Sequence, residues 1–272
     1  PFVVYGVVTG TSVGELFIGG IIPGVLMGAA LMITSYLIAK YEGYRGDSKW
    51  VGFRQLLASF NDAKWAVLAP VIILGGIYGG IFTPTEAAVV AVVYAMAVGF
   101  FVYRELTPNL LYNALLDTII INGVTTFMVG LSMAFANYLS MQQIPTKICN
   151  GLLALTTSKY LLLLFINAFL LVVSCLVDNI PACIILAPIL LPVVTRLGID
   201  PIHFGVFMTL NLAIGFVTPP YGPNIFVASA VAGIPMERML RFLWPFIIAL
   251  LAVLMVTTYV PATTMGLVNL IR

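Results

Sequence analysis

Gly215-Phe216-Val217-Thr218-Pro219-Pro220-Tyr221-Gly222-Pro223-Asn224 lies in the middle of an apolar stretch that runs from Pro201 to Gly233. The stretch is long enough to cross a membrane. Three prolines in five residues nevertheless stop any regular helix from passing through it. Two half-helices joined by unwound backbone are expected. Unwound carbonyls buried in apolar surroundings cost several kcal/mol each unless something satisfies them. A cation can do so, and Thr218 and Asn224 add side-chain oxygens. Gly222 permits a tight approach. The half-helix beginning near Pro223 points its positive end at the break, which suits an anion. The bland alternative is a proline kink satisfied by neighbouring helices.

The rest of the chain is apolar to match. Hydrophobic residues make up 61% and charged residues 8% of the 272 positions, and mean hydropathy is +1.11. Soluble domains carry about 25% charged residues, so lipid is the expected solvent for an all-α, multi-pass protein. A net charge of +2 without a basic run gives no footprint for nucleic acid.

Apolar runs at 17–39, 65–103, 118–139 and 242–259 read as spans, the second long enough for two crossings. Residues 104–117 are mixed and read as interfacial. Residues 40–64 carry Lys40, Arg45, Lys49, Arg54 and Lys64, which places this loop in the cytoplasm. Residues 50–60 within it suit an amphipathic surface helix. Two apolar arms, 160–177 and 182–194, flank Asp178-Asn179-Ile180-Pro181. The second arm is short for a crossing, so the unit reads as a re-entrant hairpin rather than a plain pair of short helices.

A carboxylate at bilayer depth costs about 2.5–3.5 kcal/mol on insertion scales. Asp178 is therefore a candidate for holding a cation, with Asn179 supplying an amide oxygen and Pro181 opening the second arm. The structural alternative is a helix N-cap. Thr83-Pro84-Thr85-Glu86 fits a capping box, with Thr83 as cap, Pro84 at the first helical position and Glu86 reaching back. Glu15 is a similar interfacial case. His203, the one histidine, has no paired acid or nucleophile beside it and reads as structural. Cys149, Cys175 and Cys183 lack metal-ligand spacing and read as apolar packing. Neither a catalytic constellation nor a phosphate-binding Gly-rich loop is present, so an enzyme or ATP-driven pump is not expected. A passive channel with broken helices, or another kind of ion-coupled anion transporter, remains the alternative.

Shifting the N-terminus by 222 positions lays Pro1 on Pro223, Glu15 on Glu237 and Pro23 on Pro245. The order half-helix, polar turn, proline and long apolar run recurs in both places. Repeats with breaks in matching positions mark secondary transporters.

Three segments resemble the large membrane subunit of TRAP transporters (tripartite ATP-independent periplasmic transporters). They are residues 79–88 around Thr83-Pro84-Thr85-Glu86, Asp178-Asn179-Ile180-Pro181 with Ala187-Pro188-Ile189-Leu190-Leu191-Pro192, and the 215–224 stretch. Gly198-Ile199-Asp200-Pro201 and Tyr5-Gly6-Val7-Val8-Thr9-Gly10 resemble the family too. The resemblance, to the C-terminal part of that subunit, implies an inverted-repeat elevator transporter of the ion transporter superfamily. It implies sodium-driven import of organic acids across the bacterial inner membrane, with no cofactor beyond the coupling Na⁺. A small membrane subunit and a periplasmic substrate-binding protein are the implied partners. Asp178, Asn179, Pro181, Gly215, Thr218, Pro219, Pro220, Gly222 and Asn224 are the implied sodium and substrate residues, with Asp178 and Thr218 on Na⁺.

On this pattern residues 1–39 form the tail of a first repeat and 40–64 a cytoplasmic loop or amphipathic connector. Residues 65–272 form a second repeat, with scaffold helices at about 65–157, the hairpin and broken helix at about 158–233, and a final helix at about 242–264. The chain opens Pro1-Phe2-Val3 without a basic leader-like segment, so a fragment or processed chain is expected rather than one led by a signal peptide. The family's first hairpin and first proline-serine turn would precede Pro1, so one sodium site and half the substrate site are expected to be missing. Taurine, C4-dicarboxylates, sialic acid and keto acids all fit as substrates, and the sequence does not choose among them.

Overall fold

The computed structural model describes residues 1–44, 53–144, 147, 150–151, 158–219 and 222–272. The described elements are helical: α1 (Phe2–Thr9), α2 (Val13–Gly19), α3 (Ile21–Tyr41), α4 (Phe53–Tyr78), α5 (Pro84–Ala97) with a π-turn at Val98–Val102, α6 (Pro108–Met141), α7 (Lys159–Ser174), α8 (Asn179–Arg196), α9 (Pro201–Gly215), α10 (Pro223–Ala232), α11 (Met236–Tyr259) and α12 (Ala262–Ile271). Among the described residues five helical stretches are long and apolar enough to cross a membrane: Val13–Tyr41, Leu57–Tyr78, Pro84–Val102, Asn179–Arg196 and Met236–Tyr259. The chain divides into one unit made of Pro1–Glu42 with Phe127–Arg272 and a second of Gly43–Thr126.

In the second unit α4 and α5 form an antiparallel pair. The Tyr94 hydroxyl donates to the Trp65 carbonyl at 2.7 Å and Tyr103 to the Asp62 carbonyl at 3.4 Å. The connecting turn is tied by Ile81 and Phe82 amides to the Gly76 carbonyl, at 2.9 and 3.1 Å. The expected surface helix at 50–60 is not separate, since its described part from Phe53 runs on into α4. No glycine or proline stands between Phe53 and Lys64 to stop it. Residues 50–52 lie outside the described residues. For the same reason residues 108–117, expected to be interfacial, belong to α6.

The first unit is built around α9. Phe204, Val206, Phe207, Met208 and Leu212 are all fully buried, as a helix apolar on every side must be. Asp200 caps it, its Oδ1 accepting from the Ile202 amide at 2.8 Å, with Pro201 at the first position. α1, α2, α7, α8, α11 and α12 pack around it. Helices in lipid gain little from burial and much from close contact. Here Tyr5–Phe204 and Phe204–Phe207 meet edge-on at 6.0 and 5.2 Å, and the Tyr5 hydroxyl donates to the Pro201 carbonyl at 2.7 Å.

α3 and α11 pack antiparallel. Leu37, Ile38 and Tyr41 at the end of one share a hollow with Arg241, Phe242 and Pro245 at the start of the other. At the opposite end of this unit Arg272 pairs with Glu15 at 2.7 Å and approaches Asp200 at 3.8 Å. Tyr259 donates to the Tyr160 carbonyl there at 3.0 Å. The expected final helix at 242–264 is two helices, α11 and α12, separated at Val260 and Pro261.

Candidate functional site

Pro201–Gly233 is interrupted as its prolines require: α9 stops at Gly215 and α10 starts at Pro223. Residues 216–219 continue as tight turns, with the Val217 amide on Ile214 O and the Thr218 amide on Gly215 O, at 3.1 and 3.0 Å. The Thr218 hydroxyl donates back to Ile214 O at 2.7 Å. Pro219 is half-buried, and Pro220 and Tyr221 lie outside the described residues. The break closes where the Asn224 amide reaches Phe216 O at 3.3 Å. Gly222 is buried, with the Thr218 carbonyl oxygen 3.0 Å from where a Cβ would stand. The Asn224 side chain is exposed and lines a largely apolar hollow of about 690 Å³ with Val217, Ile225, Arg238 and Phe242.

α7 ends at Ser174 and α8 begins at Asn179. Asp178 is the N-cap of α8, its Oδ1 accepting from the Ile180 amide at 3.1 Å. Its second oxygen makes no hydrogen bond among the described residues, so capping and ion contact are compatible. Asn179 is half-buried, and its Oδ1 is enclosed with no hydrogen-bond partner among the described residues. Pro181 is buried in the first turn of α8. Pro188 and Pro192 do not break α8. It is therefore longer than the arm expected at 182–194, and its 18 residues reach spanning length.

α7 and α9 run side by side in the same direction. Asn167 bonds Asn211, and further along Ser174 meets Gly215. A Cβ on Gly215 would stand 2.6 Å from the Ser174 carbonyl carbon. Only glycine lets the backbones come so close. Since each chain leaves its helix on the next residue, the turn carrying Asp178 and the break carrying Thr218 emerge from one end of a locked pair. Sequence reading missed Asn167 and Asn211. Each is an amide set in an apolar run, Phe165-Ile166-Asn167-Ala168-Phe169 and Leu210-Asn211-Leu212, and that contrast was the available signal.

Thr83, Pro84 and Glu86 stand apart from these elements in sequence and form a capping box. The Glu86 amide donates to Thr83 Oγ1 at 3.3 Å, and the Thr83 amide donates to Glu86 Oε2 at 2.8 Å. His203 is buried, with Nδ1 2.6 Å from Thr264 Oγ1 and Nε2 3.1 Å from the Thr258 carbonyl. Cys183 is buried and Cys175 half-buried, both as free thiols. Cys149 lies outside the described residues.

Residues 1–263 match the family model described as tripartite ATP-independent periplasmic transporter, DctM component. The chain belongs to the DctM family of TRAP transporters. It is 45% identical over 265 residues to the isethionate TRAP transporter permease protein DctMQ of Oleidesulfovibrio alaskensis, covering 97% of this chain and 42% of that protein. It is 42% identical over 267 residues to the C4-dicarboxylate TRAP transporter large permease protein DctM of Pseudomonas aeruginosa, covering 98% and 62%. It is 39% identical over 270 residues to the sialic acid TRAP transporter large permease protein SiaM of Vibrio cholerae, covering 99% and 63%. The chain thus spans about two-fifths to three-fifths of the length of these relatives. DctM proteins are inner-membrane transport proteins and not enzymes.

Proposed function

We propose that this DctM chain contributes one sodium site and part of the substrate site of a large permease subunit that imports organic acids by sodium symport. The observation that carries the reading is the Ser174–Gly215 contact, which brings two helix interruptions out of one end of a buried, parallel pair. A Na⁺ ion needs several oxygens. Asp178, the unpartnered Asn179 Oδ1 and carbonyls of the 216–219 turns supply oxygen donors at the ends of those helices. The positive end of the α10 dipole faces the break and favours an anion there, although the Asn224 and Ile225 amides are already bonded to Phe216 O and Gly222 O. Such a positive end favours a carboxylate or a sulfonate alike, which accords with relatives named for C4-dicarboxylate, sialic acid and isethionate.

The same reading treats α7–α8 as a re-entrant hairpin and residues 1–39 as the tail of an inverted repeat. α1 and α10 support it, for both are short and both end on a left-handed glycine, Gly10 at φ 71° and Gly233 at φ 65°. An elevator movement follows from the repeat reading. The partners are a small membrane subunit and a periplasmic binding protein. Lys40, Arg238 and Arg241 stand at one end of α3 and α11 together with Glu42 and Glu237, and because Lys and Arg count for more than carboxylates in setting orientation, they support a cytoplasmic position for that end.

The test is uptake by the intact transporter as sodium is varied. Thr218→Val is nearly isosteric and deletes one oxygen, and Asn224→Ala deletes an amide. Thr218→Val raises the sodium concentration for half-maximal uptake, and Asn224→Ala raises that for substrate. If both variants keep wild-type dependence on both, the break is a kink and the site lies elsewhere.

A further inference from the structure

Asn167 and Asn211 are fully buried amides in the middle of apolar helices. Asn211 Nδ2 donates to Asn167 O at 3.1 Å and to Asn167 Oδ1 at 3.0 Å. Asn167 Nδ2 donates to Thr258 Oγ1 at 3.0 Å, and the Thr258 hydroxyl donates to Leu254 O at 2.8 Å. The run has one direction. Turning the Asn211 amide over would set its oxygen against both oxygens of Asn167, so the neighbours fix the assignment. The arrangement leaves Asn211 Oδ1 buried without a partner among the described residues. A seam that retains such a group is not the arrangement stability alone would select, since an apolar pair of similar volume would pack without it.

Its location supplies another use. Asn211 stands about one turn before Gly215, and the Ser174 hydroxyl lies 3.5 Å from the Asn211 carbonyl. Apolar helices packed in parallel can slip along each other, because their ridges repeat every turn. A buried amide pair cannot slip without losing its hydrogen bonds, which is how single buried asparagines set register in coiled coils. We propose that Asn167 and Asn211 are positioning residues that set the axial register of α7 on α9, and so hold the Asp178 turn level with the Thr218 break. Thr258 ties the pair to α11. The inference rests on the sodium-site reading of those two segments.

The experiment compares Asn167→Leu, Asn211→Leu and the double variant in the intact transporter, by melting in detergent and by sodium-dependent uptake at matched membrane levels. Each single change strands the other amide and lowers the melting temperature. The double change removes both polar partners and recovers most of that loss. Its sodium half-saturation nevertheless stays raised on the order of tenfold, the scale of lost outer support at ion sites. A double variant with wild-type sodium half-saturation overturns the proposal. Should the double variant be lost from the membrane, Asn211→Leu carries the test, since it alone removes both hydrogen bonds between α7 and α9, and a wild-type sodium half-saturation in that variant overturns the proposal. A wild-type transporter with no sodium response refutes the coupling reading and this inference with it. A wild-type response that the double variant retains refutes the inference alone.

Discussion

Replacing Gly215 with alanine places a methyl group where the backbones of α7 and α9 touch. The added Cβ would stand 2.6 Å from the Ser174 carbonyl carbon and closer still to its Cβ and Oγ. The hydroxyl could turn away, but the carbonyl carbon is backbone and cannot. Ordinary contact begins near 3.4 Å, and the Ser174 Cβ is as fixed as its carbonyl carbon, so the helices must part by about 1.1 Å at this point. Overpacking of that kind costs about 1–3 kcal/mol. For a body of this size each kcal/mol lowers the melting temperature by roughly 2–4 °C. Melting of the detergent-solubilised transporter reads the loss directly. Ser174→Gly, combined with Gly215→Ala, removes the Cβ and Oγ overlaps but leaves the carbonyl, so the pair recovers only part of the loss, a coupling that a double-mutant cycle measures. Gly215→Ala with unaltered melting would show that the helices do not approach this closely, and the argument that they present two breaks together would fail with it.

Three further outcomes are expected. Asp178→Asn keeps the cap, because asparagine caps as well as aspartate; melting stays unchanged while sodium dependence weakens, and an unchanged sodium response removes the carboxylate from the site. Thr83→Ala loses the hydroxyl that accepts the Glu86 amide and costs about 1 kcal/mol in melting experiments, while Glu86→Gln retains an accepting oxygen and is mild; loss of uptake in Glu86→Gln at normal membrane levels would show that the charge itself is needed. A cysteine at Lys159 is labelled from outside intact cells and one at Arg241 only after permeabilisation, and the reverse pattern inverts the topology.

Composition and breakers carried much of this protein. Few charges in long apolar runs require a membrane, because only backbone satisfied within helices is tolerated there. Pro219, Pro220 and Pro223 interrupt a helix wherever they occur, since a missing donor and a ring clash are local facts. The Thr83–Glu86 cap was legible for the same reason, as its partners lie three residues apart. Helix starts were read less well. The stretches from Phe53 and Pro108 are too polar to look like spans, yet nothing in them ends a helix, and polarity alone does not stop a hydrogen-bond ladder. Tertiary structure decided what no short window contains. Gly215 looks like any glycine until Ser174 lies against it. Asn167 and Asn211 are separate polar interruptions until α7 and α9 run parallel and join them. The approach of two backbones depends on side chains distant in sequence, and only the folded chain determines which of them meet.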